Sequence, residues 1–233
     1  MSEFDAFAKE YEALLSKNIR VTGYNPAYFD ELKIKEVSRI LKKKKIESPL
    51  KILNFGCGIG KHDRLFKRYF PSCIIYGIDV STSSLDEARK HNADLDNCNY
   101  MVYSGEGKFP IPEDVDLIFI ANVLHHIPHA AHPAILAECQ RCLNPKGHLF
   151  IFEHNPLNPL TRYAVATCEF DHDAVLLPPL YTRRLLKEVG FKKRFCRFLI
   201  FFPKFLSFLL FLEAYLAWLP LGGQYLYVGY KSK

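Results

Sequence analysis

Two sets of residues in this chain have types and spacing suited to chemistry. Gly56-Cys57-Gly58-Ile59-Gly60 is a G-x-G-x-G loop. Glycines lack Cβ and tolerate positive φ, so such a loop lets backbone approach a ligand closely. A dinucleotide-binding fingerprint has its third glycine one position later, where this chain has Lys61. Asp79 closes the next apolar run, and a carboxylate there can accept hydrogen bonds from both hydroxyls of a ribose. Loop and acid together point to an adenosine-bearing ligand. A P-loop is excluded, because no G-x-x-x-x-G-K-[ST] occurs.

The second set is rich in histidine. His125 and His126 follow an apolar run and, with His129 and His132, spell H-H-x-x-H-x-x-H. Histidine titrates near neutrality and suits a general base. No metal site is expected, since Pro128 and Pro133 break the helix that would align the ligands. Glu153-His154-Asn155-Pro156 closes a later strand, placing His154 or Asn155 on the same rim, to orient an acceptor or simply to turn the chain. Cys139-x-x-Cys142 lies in an amphipathic helical pattern without a second pair and reads as packing.

The elements that must position these groups alternate in type. Apolar strands are expected at 51–55, 73–79, 99–103, 115–121 and 147–153, with helices at 28–45, 60–70, 82–92, 131–143 and 182–189. Two final strands are expected at 191–202 and 224–231. Ser81 is the expected N-cap of the 82–92 helix. The alternation implies an α/β fold, doubly wound around a mostly parallel seven-stranded sheet with an antiparallel last strand. In such sheets ligands sit at the carboxyl ends of the strands, where strand order reverses. A helix is also expected over 3–16, so residues 1–46 read as N-terminal helices capping the site and 47–233 as the main domain, with a lid at 156–181.

With 233 residues, 49% hydrophobic and 24% charged, the composition is that of a globular protein. Lys and Arg number 31 against 25 acids, for a net charge of +6. That mild excess permits acidic substrates or anionic lipid surfaces without requiring nucleic acid. Seven scattered cysteines do not suggest a disulfide framework and fit a reducing compartment. Early acids and the lack of an apolar h-region speak against a signal peptide, so a cytoplasmic location is expected, with peripheral membrane association as a further option.

In order and spacing, the runs Ile52–Gly60, Tyr76–Ser81, Asp116–Ile127 and Leu143–Leu149 resemble the successive motifs of class I S-adenosylmethionine-dependent methyltransferases. The resemblance is to the small-molecule branch that includes the ubiquinone and menaquinone biosynthesis methyltransferases. It implies S-adenosyl-L-methionine as cofactor and S-adenosyl-L-homocysteine as product. Carried over by position, Asn54, Gly56, Cys57, Gly58 and Gly60 would line the methionine and ribose part. Asp79 would hold the ribose diol, with Val80 near the adenine and Gly105 and Glu106 at its edge. Ala121, Asn122 and Val123 would flank the sulfonium. Two positions depart from the pattern: Asn54 stands where the family usually has an acid, and Lys146 replaces a common glycine. His126 would be the base, assisted by His154 and with His125 beside it. Tyr11, Tyr24, Asn155, Arg162 and Tyr163 are the expected acceptor contacts. Asn155-Pro156-Leu157 falls after the wrong strand, without a stacking aromatic, for a base-flipping amino-methyltransferase, so nucleic acid is not the expected acceptor.

One segment does not belong to a plain doubly wound domain. Residues 198–219 are apolar except for Pro203, Lys204, Ser207 and Glu213. Its proline and charges argue against a membrane span, although the length would suffice. A helix over 204–218 would be apolar nearly all round and must be buried or meet lipid. An insert at 203–219 could therefore cap the core, pair two copies of the chain as a homodimer, or anchor the protein on an anionic membrane. The expected activity is methyl transfer to a small-molecule or lipid-linked acceptor, at oxygen. The competing expectation is a catalytically silent, cofactor-binding or membrane-associated scaffold.

Overall fold

The computed structural model describes residues 22–46, 50–168 and 173–231. The expected helix over 3–16, with Tyr11, lies outside them. Five strands run parallel: β1 (Lys51–Phe55), β2 (Ile74–Asp79), β3 (Cys98–Val102), β4 (Val115–Ala121) and β5 (Leu143–His154). After them, β6 (Lys193–Leu199) and β7 (Gln224–Tyr230) complete a sheet ordered β3-β2-β1-β4-β5-β7-β6. Strand β7 is antiparallel to both neighbours, as expected. The order reverses between β1 and β4, so the carboxyl ends of β1, β2, β4 and β5 share one rim at the switch point.

Alternate residues of the central strands enter opposite layers, as the pleat requires. Leu53, Ile118, Ile120, Leu149 and Ile151 pack with Leu136 of α4 (His132–Cys142) and Leu186 of α6 (Pro179–Glu188). On the other face Ile52, Phe119, Phe150 and Phe152 pack with Ile34 and Val37 of α1 (Pro26–Lys43) and Phe66 of α2 (Lys61–Tyr69). Helix α1 starts where Asn25 caps the Tyr28 N–H at 3.0 Å and Pro26 presets the first turn. Helix α3 (Thr82–His91) starts with Ser81 Oγ accepting from Ser84 N–H at 3.1 Å, the cap expected.

The apolar C-terminal insert departs from a regular helix. Lys204–Leu212 is 3₁₀ with a kink at Leu206, followed by the single turn α7 (Glu213–Leu216). No residue of 204–216 is buried, whereas Ala217 is. Among the described residues, no helix is long and apolar enough to cross a membrane.

Candidate active site

The glycine loop leaves β1 at Phe55 and turns by backbone bonds to β2. Gly56 and Cys57 both donate to the Ile78 carbonyl, at 2.8 and 3.1 Å. Gly56 is at φ +64°, and a Cβ there would sit 2.6 Å from a Val123 methyl. The loop is therefore packed against the chain leaving β4. Gly58, at φ +51°, has nothing within 4 Å of where its Cβ would be; it borders open space. Asp79 secures the loop, accepting from Gly58 N–H at 2.8 Å and from Ser81 N–H at 2.9 Å. Val80 is exposed beside it, and Gly105 also borders open space at φ +89°.

Behind the loop, the structure corrects the expectation for Asn54. Its amide is buried and donates to Asp63 Oδ1 at 2.7 Å, because Asn54 sits on the strand face covered by α2. Asp63 also accepts from the Tyr100 hydroxyl at 2.8 Å. Burial pushes the Asp63 carboxyl up to about 6, against the pull of these two bonds. Asn92 completes the network, donating to the Gly60 carbonyl at 3.0 Å. Sequence reasoning missed Asp63, Tyr100 and Asn92, whose surroundings read as ordinary helix and strand. Cys57 is likewise buried, and burial raises its thiol well above the usual range.

On the β4–β5 side the chain turns sharply. Asn122 takes φ +56°, and its N–H donates to Phe152 O at 2.8 Å. The Asn122 side-chain oxygen is buried with no hydrogen-bond partner among the described residues. A 3₁₀ turn, Leu124–His126, follows. Glu153, fully buried on β5, gathers this turn. It accepts from Val123 N–H at 3.3 Å, Leu124 N–H at 2.9 Å and His125 Nδ1 at 2.5 Å. Burial alone would raise the Glu153 carboxyl, but His125 reverses that and holds it below its ordinary value. His125 Nδ1 is then the donor, which leaves Nε2 as its basic nitrogen. The turn sets the His125 ring 4.2 Å from that of His126 and 5.3 Å from that of His154. His126 Nδ1 faces Asp173 at 3.5 Å, and Val175 N–H donates to the His125 carbonyl at 2.8 Å.

The other two histidines of the H-H-x-x-H-x-x-H run make packing contacts. His132 is fully buried, with its ring nitrogens 2.9 Å from the Leu124 carbonyl and the Tyr181 hydroxyl. Desolvation lowers its pKa. His129 stacks on Tyr181. Helix α1 adds a charged group not expected from sequence: Asp30 lies 3.1 Å from His62 Nε2 and 3.6 Å from Lys33. Burial works against the Asp30 charge, but His62 and Lys33 hold its carboxyl well below the usual range. Burial also lowers Lys33, against the pull of Asp30 and Glu153. Tyr24 stacks on Tyr28 just before α1.

Three expected acceptor contacts sit differently. Asn155 is buried and pins a turn, its amide donating to Gly222 O at 2.7 Å and Pro220 O at 3.1 Å. Arg162 and Tyr163 are exposed on α5 (Pro159–Ala166), because the capped first turn of α5 faces the same 220–223 segment and leaves them outside. The lid expected at 156–181 contains α5 and the start of α6, and residues 169–172 of it lie outside those described.

Residues 52–147 match a family model described as a methyltransferase domain. Trans-aconitate 2-methyltransferase of Methylobacterium nodulans is 28% identical over 130 residues, covering 53% of this chain and 45% of that protein. The enzyme of the same name from Pseudomonas paraeruginosa is 29% identical over 123 residues, covering 52% and 42%. The chain thus spans less than half the length of these curated relatives. Among solved structures, a SAM-dependent methyltransferase from Thermotoga maritima superposes with TM-score 0.69 at 18% identity, covering 98% of each chain. Phosphoethanolamine N-methyltransferase 2 of Haemonchus contortus, solved with S-adenosyl-L-methionine, gives 0.61 at 17% identity, over 85% of this chain and 53% of that one. The family match runs from β1 to the start of β5, and the fold agreement extends over nearly the whole chain: residues 52–147 are similar to a methyltransferase domain, and the chain has the fold of S-adenosylmethionine-dependent methyltransferases.

Proposed function

We propose that this protein transfers a methyl group from S-adenosylmethionine to an acceptor presented at the shared rim of β1, β2, β4 and β5. The observation that carries the reading is the contact of Gly56 with Val123, which joins the glycine loop directly to the histidine turn. The residues fit the cofactor. Gly58 and Gly105 leave space beside the Asp79 carboxylate, suited to a ribose diol, with Val80 and Glu106 toward the adenine. The partnerless Asn122 oxygen suits the methionine ammonium, with Ala121 and Val123 beside it. Gly60 completes the loop, and Cys57 contributes backbone only.

When bound, the cofactor supplies a methyl group already made electrophilic by its sulfonium. The protein's part is then placement and, for a hydroxyl acceptor, removal of a proton. Placement in near-attack geometry can supply about 7–11 kcal/mol of the barrier. His126 is the base in this reading: Asp173 faces its Nδ1, so Nε2 takes the acceptor proton. Glu153 and His125 are a positioning pair that fixes the turn carrying His126, and His154 flanks the acceptor together with Tyr24. Transfer to oxygen is the favoured chemistry, because a neutral hydroxyl needs the base that the turn provides.

The test is a labelled-methyl transfer assay over a panel of hydroxyl, carboxylate and amine acceptors. His126→Ala is expected to lose about 10²–10⁴-fold in kcat with S-adenosylhomocysteine affinity unchanged. Wild-type rates in His126→Ala would overturn the assignment of the base. Cofactor binding without transfer to any acceptor would leave the scaffold reading instead.

A further inference from the structure

The insert that a plain methyltransferase sheet does not need is built as an outward-facing apolar ridge. In a 3₁₀ segment side chains three apart eclipse one another, so Phe208 and Phe211 share one edge of the stretch after the Leu206 kink, and Phe205, just before the kink, is exposed as well. Tyr215 and Trp218 continue the row. All five are between 68% and 76% exposed. An aromatic side chain offers about 150–250 Å², so the row alone presents several hundred Å² of apolar surface. That is at or above the largest patch a monomer ordinarily shows to water.

A second apolar limb lies beside it. Leu157, Leu160 and Tyr163 are exposed at and around α5. This limb is pinned to the end of the ridge by Asn158 Nδ2 donating to Leu221 O at 2.6 Å and Thr161 Oγ1 to Gly223 O at 2.9 Å. Asn155, the residue after His154, holds the same turn. The ridge therefore stands on the rim where the histidines lie.

The charges indicate what covers it. Glu213 is the only acid after Glu188 in the sequence, and its carboxylate is turned inward, accepting from Phe201 N–H at 2.8 Å. The exposed charges at the edges, Lys204 and Arg162, are cations. An outer face of phenylalanines with a Tyr, a Trp and flanking bases, and no outward acid among residues 198–223, matches the interface of an anionic bilayer, where Trp and Tyr rings sit at headgroup level. A second copy would bring the same cations to meet these.

We infer that this ridge docks on an anionic lipid surface and that the acceptor is carried in that lipid, presented to the histidine rim at the membrane. This rests on the methyl-transfer reading of the rim, and a direct reporter separates the two. Trp218 is the only tryptophan in the chain, so its fluorescence reads the ridge alone. Vesicles of phosphatidylcholine with phosphatidylglycerol should shift its emission to shorter wavelength, and brominated lipid should quench it. Both effects should be lost in Phe208→Ser/Phe211→Ser, while S-adenosylhomocysteine binding stays within twofold. Label from methyl-labelled cofactor incubated with a membrane fraction should extract into chloroform. Emission indifferent to every vesicle would overturn the docking, as would a blue shift that grows with protein concentration in the absence of lipid. Label confined to water-soluble product would overturn the lipid acceptor. Loss of S-adenosylhomocysteine binding by the wild type would instead defeat the methyl-transfer reading, whatever the vesicles do.

Discussion

On the β1–β2 side of the rim, Asp79 receives the N–H of Ser81, two residues away, and that of Gly58 in the adjoining loop. On the β4–β5 side, Glu153 receives three donors from a turn 28–30 residues earlier in sequence. The first carboxylate is half-buried and borders open space; the second is fully buried. One is arranged to meet a ligand and the other to hold the protein's own backbone. The difference teaches that two acids at the carboxyl ends of strands on one rim need not share a task.

Removing the buried acid should have the larger effect. Glu153→Ala leaves the Val123 and Leu124 N–H groups and His125 without their shared acceptor. A loss of about 3–5 kcal/mol is expected in urea unfolding, the usual result of breaking a buried pair from one side. A loss under 1 kcal/mol would mean that the turn is held by other contacts.

The network behind the glycine loop should respond to pH. The Asp63 carboxyl is raised from 3.8 to about 6 in the folded protein, so its contribution to stability is fully present below about pH 3.8 and is lost as pH rises through 6. Asp63→Asn keeps an acceptor for Asn54 but cannot ionise. The stability of wild type relative to this variant should therefore fall by about 2 kcal/mol between pH 4 and pH 7. A pH-independent difference would show that Asp63 is an ordinary ionised carboxylate.

The smallest effect belongs to the local side. Ser81→Ala removes one helix cap, at about 1 kcal/mol, and should leave S-adenosylhomocysteine affinity within twofold. A tenfold loss of affinity would mean that Asp79 depends on the start of α3 for its position.

The same contrast explains what the sequence disclosed. Strands β1 and β4 are legible to the residue because side chains bury on both faces, giving the mainly apolar runs Ile52–Phe55 and Leu117–Ala121. The Gly56–Gly60 loop, Asp79 and the Ser81 cap are legible because their partners lie close by in the motif. Asp63, Tyr100 and Asn92 were not, since their bonds cross between α2, β3 and the end of α3. Glu153 carried a faint signal, a lone acid closing the run Gly147–Phe152, and its partner could be known only once β4 and β5 lay side by side. Asn155 was placed on the rim with two tasks open, and the turn could be chosen over the acceptor contact only from its partners at 220 and 222, which lie beyond local reach. The 204–216 segment shows the limit most plainly, for its composition was equally compatible with a buried helix and with an exposed ridge.

Isothermal titration of the protein with S-adenosylhomocysteine, beside Asp79→Ala, tests the central claim most directly. The account predicts one site per chain in the wild type and an affinity at least tenfold weaker in the variant, with both proteins folded by circular dichroism. Equal affinity in the two, or no heat from the wild type with either this ligand or S-adenosylmethionine, would contradict it.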